Sequence, residues 1–187
     1  AVLAAVSEYF DTMFGGSLKE TVKNEGALPD FDSSTFKKII EFAYTGYYGK
    51  LSEDNAYSLL KISEYLGMLK MVDHCSDYIQ SNVSKFDNLI EILIFAQVTN
   101  KNALFEALMN HLNENFKRFY ERGALFGMPF DVFNMLIKEY TSSLCESFFM
   151  RYKHEVACDI LIGWVLHSCQ ERAAYLEELF KLIPIEG

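Results

Sequence analysis

Phe36-Lys37-Lys38-Ile39-Ile40-Glu41-Phe42-Ala43-Tyr44-Thr45-Gly46 is the stretch on which the reading of this chain turns. Phe36, Ile39, Ile40, Ala43 and Tyr44 recur at three- and four-residue intervals, which places them on one face of an α-helix. Ser33 and Ser34 stand where N-caps belong, and Thr45-Gly46 offers the left-handed residue that ends such a helix. Upstream, Val2, Leu3, Val6, Tyr9, Phe10, Met13 and Phe14 predict a helix over the first fourteen residues, stopped by Gly15-Gly16. Downstream, Ser52 opens a helix with Ala56, Leu59, Leu60, Ser63 and Leu66 inward, and the next carries Met71, Val72, Cys75, Tyr78 and Ile79. Between Ser17 and Asp30 the period is lost. Leu18, Thr21 and Val22 are the candidate strand there, although Gly26 and Pro29 break up the residues after it.

The composition turns polar from Gln80 to Asp87, and a domain boundary is expected there, giving residues 1–80 and 81–187. Beyond it helical periods run nearly without pause. They are carried by Leu89 to Ala96, by Leu104 to Leu112 and on toward Phe119, by Val132 to Tyr140, by Val156 to Val165 and by Ala173 to Ile183. A faint echo at about 33 residues relates Leu59–Ile79 to Ile92–Leu112, as successive helical hairpins would.

With 187 residues, half of them apolar, the chain is long enough to bury a core in one or two domains. Its net charge of −9 argues against nucleic acid and against an anionic membrane surface as partners. No apolar run reaches the roughly 18–20 residues that a membrane span needs. Cys75, Cys145, Cys158 and Cys169 form no CxxC pair, and three sit in apolar helical patterns. Reduced thiols in the cytoplasm, or in the nucleus, are the expectation. The first residue is Ala1 and no leader is visible, so a fragment of a longer protein is expected.

Catalytic chemistry is sparse. His154-Glu155-Val156-Ala157-Cys158 puts an imidazole and a thiol one helical turn apart, but a metal needs a further ligand that nothing nearby supplies. Adjacent His74 and Cys75 diverge by about 100° on a helix, too far for a nucleophile and its base. Gly15-Gly16 lacks the lysine and strand of a phosphate loop. No cofactor, no metal and no enzymatic activity are expected. Tyr47-Tyr48 stands out instead, in a loop after a helix stop, because tyrosine covers interface area at low entropic cost.

Three segments together resemble the BTB–BACK region of kelch-like proteins. Ala1-Val2-Leu3-Ala4-Ala5-Val6-Ser7-Glu8-Tyr9-Phe10 with Met13-Phe14 resembles the BTB segment after its "aHr" triplet. Glu41 to Gly46 resembles "l.efaYTG". Leu59-Leu60, Glu64-Tyr65-Leu66, Met68 and Cys75 resemble the hairpin that closes the BTB fold. From about Ser81, Val156 to Trp164, Glu171-Arg172, Tyr175-Leu176 and Leu179 to Ile183 resemble the BACK pattern.

The resemblance implies an α+β, predominantly helical fold: a partial BTB/POZ domain whose upstream strands are missing, then an all-α BACK domain of helical hairpins. It implies a non-enzymatic adaptor that dimerises through BTB and binds the N-terminal region of cullin-3 through BTB and the first BACK hairpin. A separate domain, such as kelch repeats, would recruit a protein substrate of unknown identity to the ubiquitin ligase. The implied cullin-3 contacts are Phe36, Tyr48, Asn55, Ala56, Tyr57 and Ser58. Ala4, Ala5 and Ser7 are small enough to let a second copy approach in a homodimer. The chain departs from the family at the start of the third helix. Cullin-3 binders there carry a hydrophobic residue followed two positions on by Asp or Glu, where Ala56 and Ser58 stand here. The departure bears on cullin binding and not on the fold. The alternative is a BTB–BACK oligomerisation scaffold, cytoskeletal or transcriptional, that does not bind cullin-3.

Overall fold

The computed structural model describes residues 2–15, 32–144 and 150–182. Every regular element among them is helical, and the candidate strand at Ser17–Asp30 lies outside the described residues. The chain divides into two compact units, Ala1–Asp87 and Asn88–Gly187. The division falls later than Gln80 because α5 (Leu69–Ser81) is followed by a 3-10 turn, Val83–Lys85, whose Val83 and the succeeding Phe86 are buried.

In the first unit the opening helix is two helices, α1 (Val2–Val6) and α2 (Glu8–Gly15), where one was expected. Ser7 makes the break. Its buried hydroxyl donates to the Leu66 carbonyl and accepts the Phe10 amide at 3.3 Å, so the side chain caps α2 while pinning it to a distant turn. Gly67 in that turn has φ +63°, and a Cβ there would sit 3.0 Å from the Cβ of Glu8. Both the backbone conformation and the close approach of α2 call for glycine.

α3 (Ser33–Thr45) is capped by Asp32 rather than by the two serines after it. The Asp32 carboxylate accepts the Thr35 amide at 3.0 Å and the Thr35 hydroxyl at 3.1 Å, and the Ser34 hydroxyl also donates to it. At the other end Gly46, with φ +70°, donates its amide to the Phe42 carbonyl at 2.8 Å, as the sequence anticipates. The buried face is Thr35, Ile39, Phe42 and Ala43. Tyr44, expected inward, is 64% exposed, since it lies about 100° around the helix from Ala43.

The next helix, α4, begins at Ala56 and runs to Tyr65, because Ser52 to Asn55 close a tight turn first. It is buried on most sides, through Ala56, Tyr57, Leu59, Leu60, Ile62 and Ser63. With Met71, Val72, Cys75 and Ile79 of α5 it forms the apolar centre of the unit. Fully burying each large apolar side chain of this kind contributes about 1.5–3 kcal/mol.

The second unit is a series of helices: α6 (Leu89–Val98), α7 (Asn102–Glu114), α8 (Phe116–Glu121), α9 (Phe130–Leu144), α10 (Met150–His167), α11 (Cys169–Arg172) and α12 (Leu176–Phe180). Asn100, with φ +55°, turns α6 back onto α7. The expected run of α7 toward Phe119 is interrupted at Asn115, whose side-chain amide donates to the His111 carbonyl at 2.9 Å. The last helix is likewise divided, with a 3-10 turn at Ala173–Tyr175, leaving Ala173 exposed and Leu179 buried. Trp164 of α10 is buried and stacks on Phe133 of α9 at 4.7 Å.

Candidate functional site

Of the expected partner-binding residues, Tyr48 and Asn55 lie in the segment from Gly46 to Asn55 and Ala56, Tyr57 and Ser58 in the first turn of α4, whereas Phe36 stands apart in the first turn of α3. Tyr48 is half-buried between two rings, 4.7 Å from Phe42 and 4.3 Å from His74. These tilted ring contacts anchor the chain two residues after Gly46. Tyr47 is 63% exposed, with its amide held by the Thr45 hydroxyl at 3.1 Å. Gly49, with φ +72°, then turns the chain again.

Asn55 is a framework residue. Its Oδ1 accepts the Ser52 amide at 3.1 Å and its Nδ2 donates to the Lys50 carbonyl at 3.2 Å, so both ends of its amide are used within the turn. Ala56 is completely buried, and Tyr57 is buried with Lys61 above its ring at 4.5 Å. Neither side chain is on offer to a partner in this conformation. Ser58 is exposed and Phe36 is half-buried. Of the six residues expected to meet cullin-3, then, Ser58, Tyr48, Phe36 and Asn55 have surface that a partner could touch. The other two fill the core, and Asn55 also shapes the loop.

Sequence reasoning missed Tyr44 as a surface residue. Together with Tyr47 it leaves two large aromatic side chains in water on one short segment. Its signal was the Thr45-Gly46 stop one residue later, because the last turn of a helix is where a side chain most readily escapes the core.

The expected self-contact residues separate in the same way. Ala5 is exposed, Ala4 is half-buried, and Ser7 is buried with its hydroxyl committed to Leu66. Ala4, Ala5 and Ser7 line a cleft of about 310 Å³ with Glu8, Asp11 and Lys70.

The chemistry of the remaining residues is quiet. Burial pushes the Cys75 thiol up to about 12, which leaves it protonated and unreactive at neutral pH. Cys158 lies in α10, half-buried, and the side chain of His154 lies outside the described residues. Among the described residues no group of three His, Cys, Asp or Glu side chains could hold a metal ion. No helix among them is long and apolar enough to cross a membrane.

Comparison with known proteins agrees with this architecture. The BTB/POZ domain family matches residues 1–83. Kelch-like protein 28 of Homo sapiens is 28% identical over 184 residues, covering 98% of this chain and 31% of the relative. Kelch-like protein 11 of Homo sapiens is 23% identical over 191 residues, covering 99% of the chain and 26% of the relative. Kelch repeat and BTB domain-containing protein 3 of Pongo abelii is 22% identical over 184 residues, covering 98% and 29%. The chain thus spans under a third of the length of these relatives, and the likeness extends through both units.

Proposed function

We propose, from the premise that this chain belongs to the kelch-like family of BTB proteins, that it is the assembly part of a cullin-3 ubiquitin-ligase adaptor. Family membership supports a protein-interaction adaptor. In the finer reading it pairs with a second copy along α1 and α2 and takes the cullin-3 N-terminal region on the Gly46–Ser58 segment. A part of the protein beyond this chain holds the substrate.

The observation that carries the reading is the exposure of Tyr44 and Tyr47 at the end of α3, with Tyr48 held between the rings of Phe42 and His74. A rigid loop presenting tyrosines loses little entropy when it docks. A scaffold that oligomerises without cullin-3 is the second reading. It is favoured by Ala56, which is fully buried, and by Ser58, which brings no charge to the position where an acidic residue would stand.

Titration calorimetry with the cullin-3 N-terminal region tests the proposal. Submicromolar, near one-to-one binding is expected, weakened at least tenfold by Tyr47→Ala and strengthened by Ser58→Glu. Both substitutions sit on exposed side chains and leave the core intact. Absence of heat from a folded protein, together with no gain from Ser58→Glu, would overturn the ligase role and leave the scaffold. Tyr57→Ala is unsuitable here, because it empties a buried site and would report folding.

A further inference from the structure

A second docking surface lies on the Asn88–Gly187 unit, where α7 and α9 enclose a cleft of about 640 Å³. Phe105 and Met109 of α7 and Met135 of α9 supply its apolar lining. Met109 is nearly fully buried and forms a floor, whereas Met135 stands 44% exposed in the middle of a helix whose Val132, Phe133, Leu136 and Ile137 are all completely buried. Methionine suits such a place, since its unbranched, polarizable side chain adapts to different apolar surfaces.

The polar lining decides what fits. Glu106 comes from α7, Glu139 and Lys138 from α9, and Asn110 and Ser142 complete the edge. Neither glutamate forms an ion pair among the described residues, so carboxylates from both helices flank an apolar floor and face whatever enters. The lining carries an excess of one negative charge, within a chain of net charge −9. That field draws cations and repels acidic segments.

The lining runs from Phe105 to Asn110 and from Met135 to Ser142, about 10 Å along α9 at roughly 1.5 Å per residue. It therefore has room for about two turns of helix. We propose that this cleft docks a short amphipathic segment of a partner protein, with one or two apolar anchors over Met109 and Met135 and lysine or arginine beside Glu106 and Glu139. The proposal does not depend on the cullin-3 reading.

The test is fluorescence anisotropy of the 187-residue chain with a fluorescein-labelled leucine–lysine peptide of helical period. A leucine–glutamate peptide of the same pattern is the control. The lysine peptide is expected to bind and the glutamate peptide to fail. Met135→Gln, which removes the apolar anchor without adding charge, should weaken binding at least tenfold, and Glu106→Gln with Glu139→Gln should weaken it severalfold and flatten its salt dependence. Circular dichroism melting establishes that each variant folds. Equal binding by wild type and Met135→Gln would mean that the peptide merely coats an acidic surface, and would overturn the proposal. Displacement of the peptide by the cullin-3 N-terminal region would also overturn it, by making the cleft part of the cullin surface.

Discussion

The guanidinium of Arg172 lies over the indole of Trp164, 4.1 Å from the ring centroid, and the two side chains donate to the same carbonyl. Trp164 Nε1 reaches the Met128 oxygen at 2.9 Å and Arg172 Nη2 reaches it at 3.4 Å. Arg172 Nη1 also donates to the carbonyls of Phe126 at 2.7 Å and Trp164 at 2.9 Å. A single cation thereby joins the turn before α9 to the end of α10. The tryptophan it covers belongs to the aromatic cluster of Phe130, Phe133 and Tyr175.

Replacing Arg172 by methionine keeps much of the contact with Trp164 but removes every donor. Charge-assisted hydrogen bonds contribute about 1.5–3 kcal/mol each, less where water can take over. A loss of about 2–4 kcal/mol is expected for Arg172→Met by chemical denaturation. Arg172→Lys should recover less than half, because an ammonium cannot span the same carbonyls as a planar fork. Equal stability of Arg172→Met and wild type would show the network to be incidental.

Gly163 of α10 allows a sign prediction. A Cβ there would lie 2.8 and 2.9 Å from ring atoms of Phe126, closer than carbon atoms pack. Alanine in a helix interior normally gains about 1 kcal/mol over glycine, while forcing a ring aside costs about 1–3 kcal/mol. Gly163→Ala is therefore expected to destabilise the wild type. In a Phe126→Ala background the obstacle is gone and the same substitution should stabilise. A double-mutant cycle on urea midpoints reads the reversal directly.

The helices were legible in the sequence because their apolar residues obey one period and several of their stops are glycines. What escaped was the detail that depends on tertiary partners. Ser7 reads as one more small residue until Leu66, 59 positions away, offers it a carbonyl. Ala56 reads as inward from its helical period and is so, but Tyr57 beside it sits at the start of a helix, where exposure is common, and is buried all the same. Tyr44 follows the helical period of its neighbours but falls beyond the edge of the buried stripe. In the second unit Arg172 reads as a charge between helices, and only the fold brings three carbonyls within its reach. The cleft between α7 and α9 could not be found at all, since sequence does not tell which two helices will leave a gap.

Thiol labelling provides an independent check on burial. Cys169 is exposed, Cys158 half-buried and Cys75 buried with its thiol pushed up to about 12. Because the thiolate is the reactive form, Cys169 should label first of these three described cysteines under native conditions at neutral pH, and Cys158 more slowly. Cys75 should label only as the protein unfolds. Peptide mapping after timed quenching assigns each site, and native labelling of Cys75 at the rate of Cys169 would contradict the packing of α5.

Asp32 gives the pH prediction. Hydrogen bonds from the side chain of Ser34 and from the backbone and side chain of Thr35 hold its carboxyl at about 2, against an ordinary value of 3.8. The folded-state value lies below the unfolded one, so the cap contributes fully above the unfolded value. The contribution is lost as pH falls from about 4 through about 2. Asp32→Ala should lower the melting temperature at pH 7 and lose the difference from wild type near pH 2. Asp32→Ser retains a capping oxygen without a charge, so it should recover part of the stability and show no such titration. Melting curves of the three proteins between pH 2 and 7 separate the cap's hydrogen bonds from its charge. A gap between wild type and Asp32→Ala that stays constant to pH 2 would mean that the carboxylate form is not what holds the start of α3.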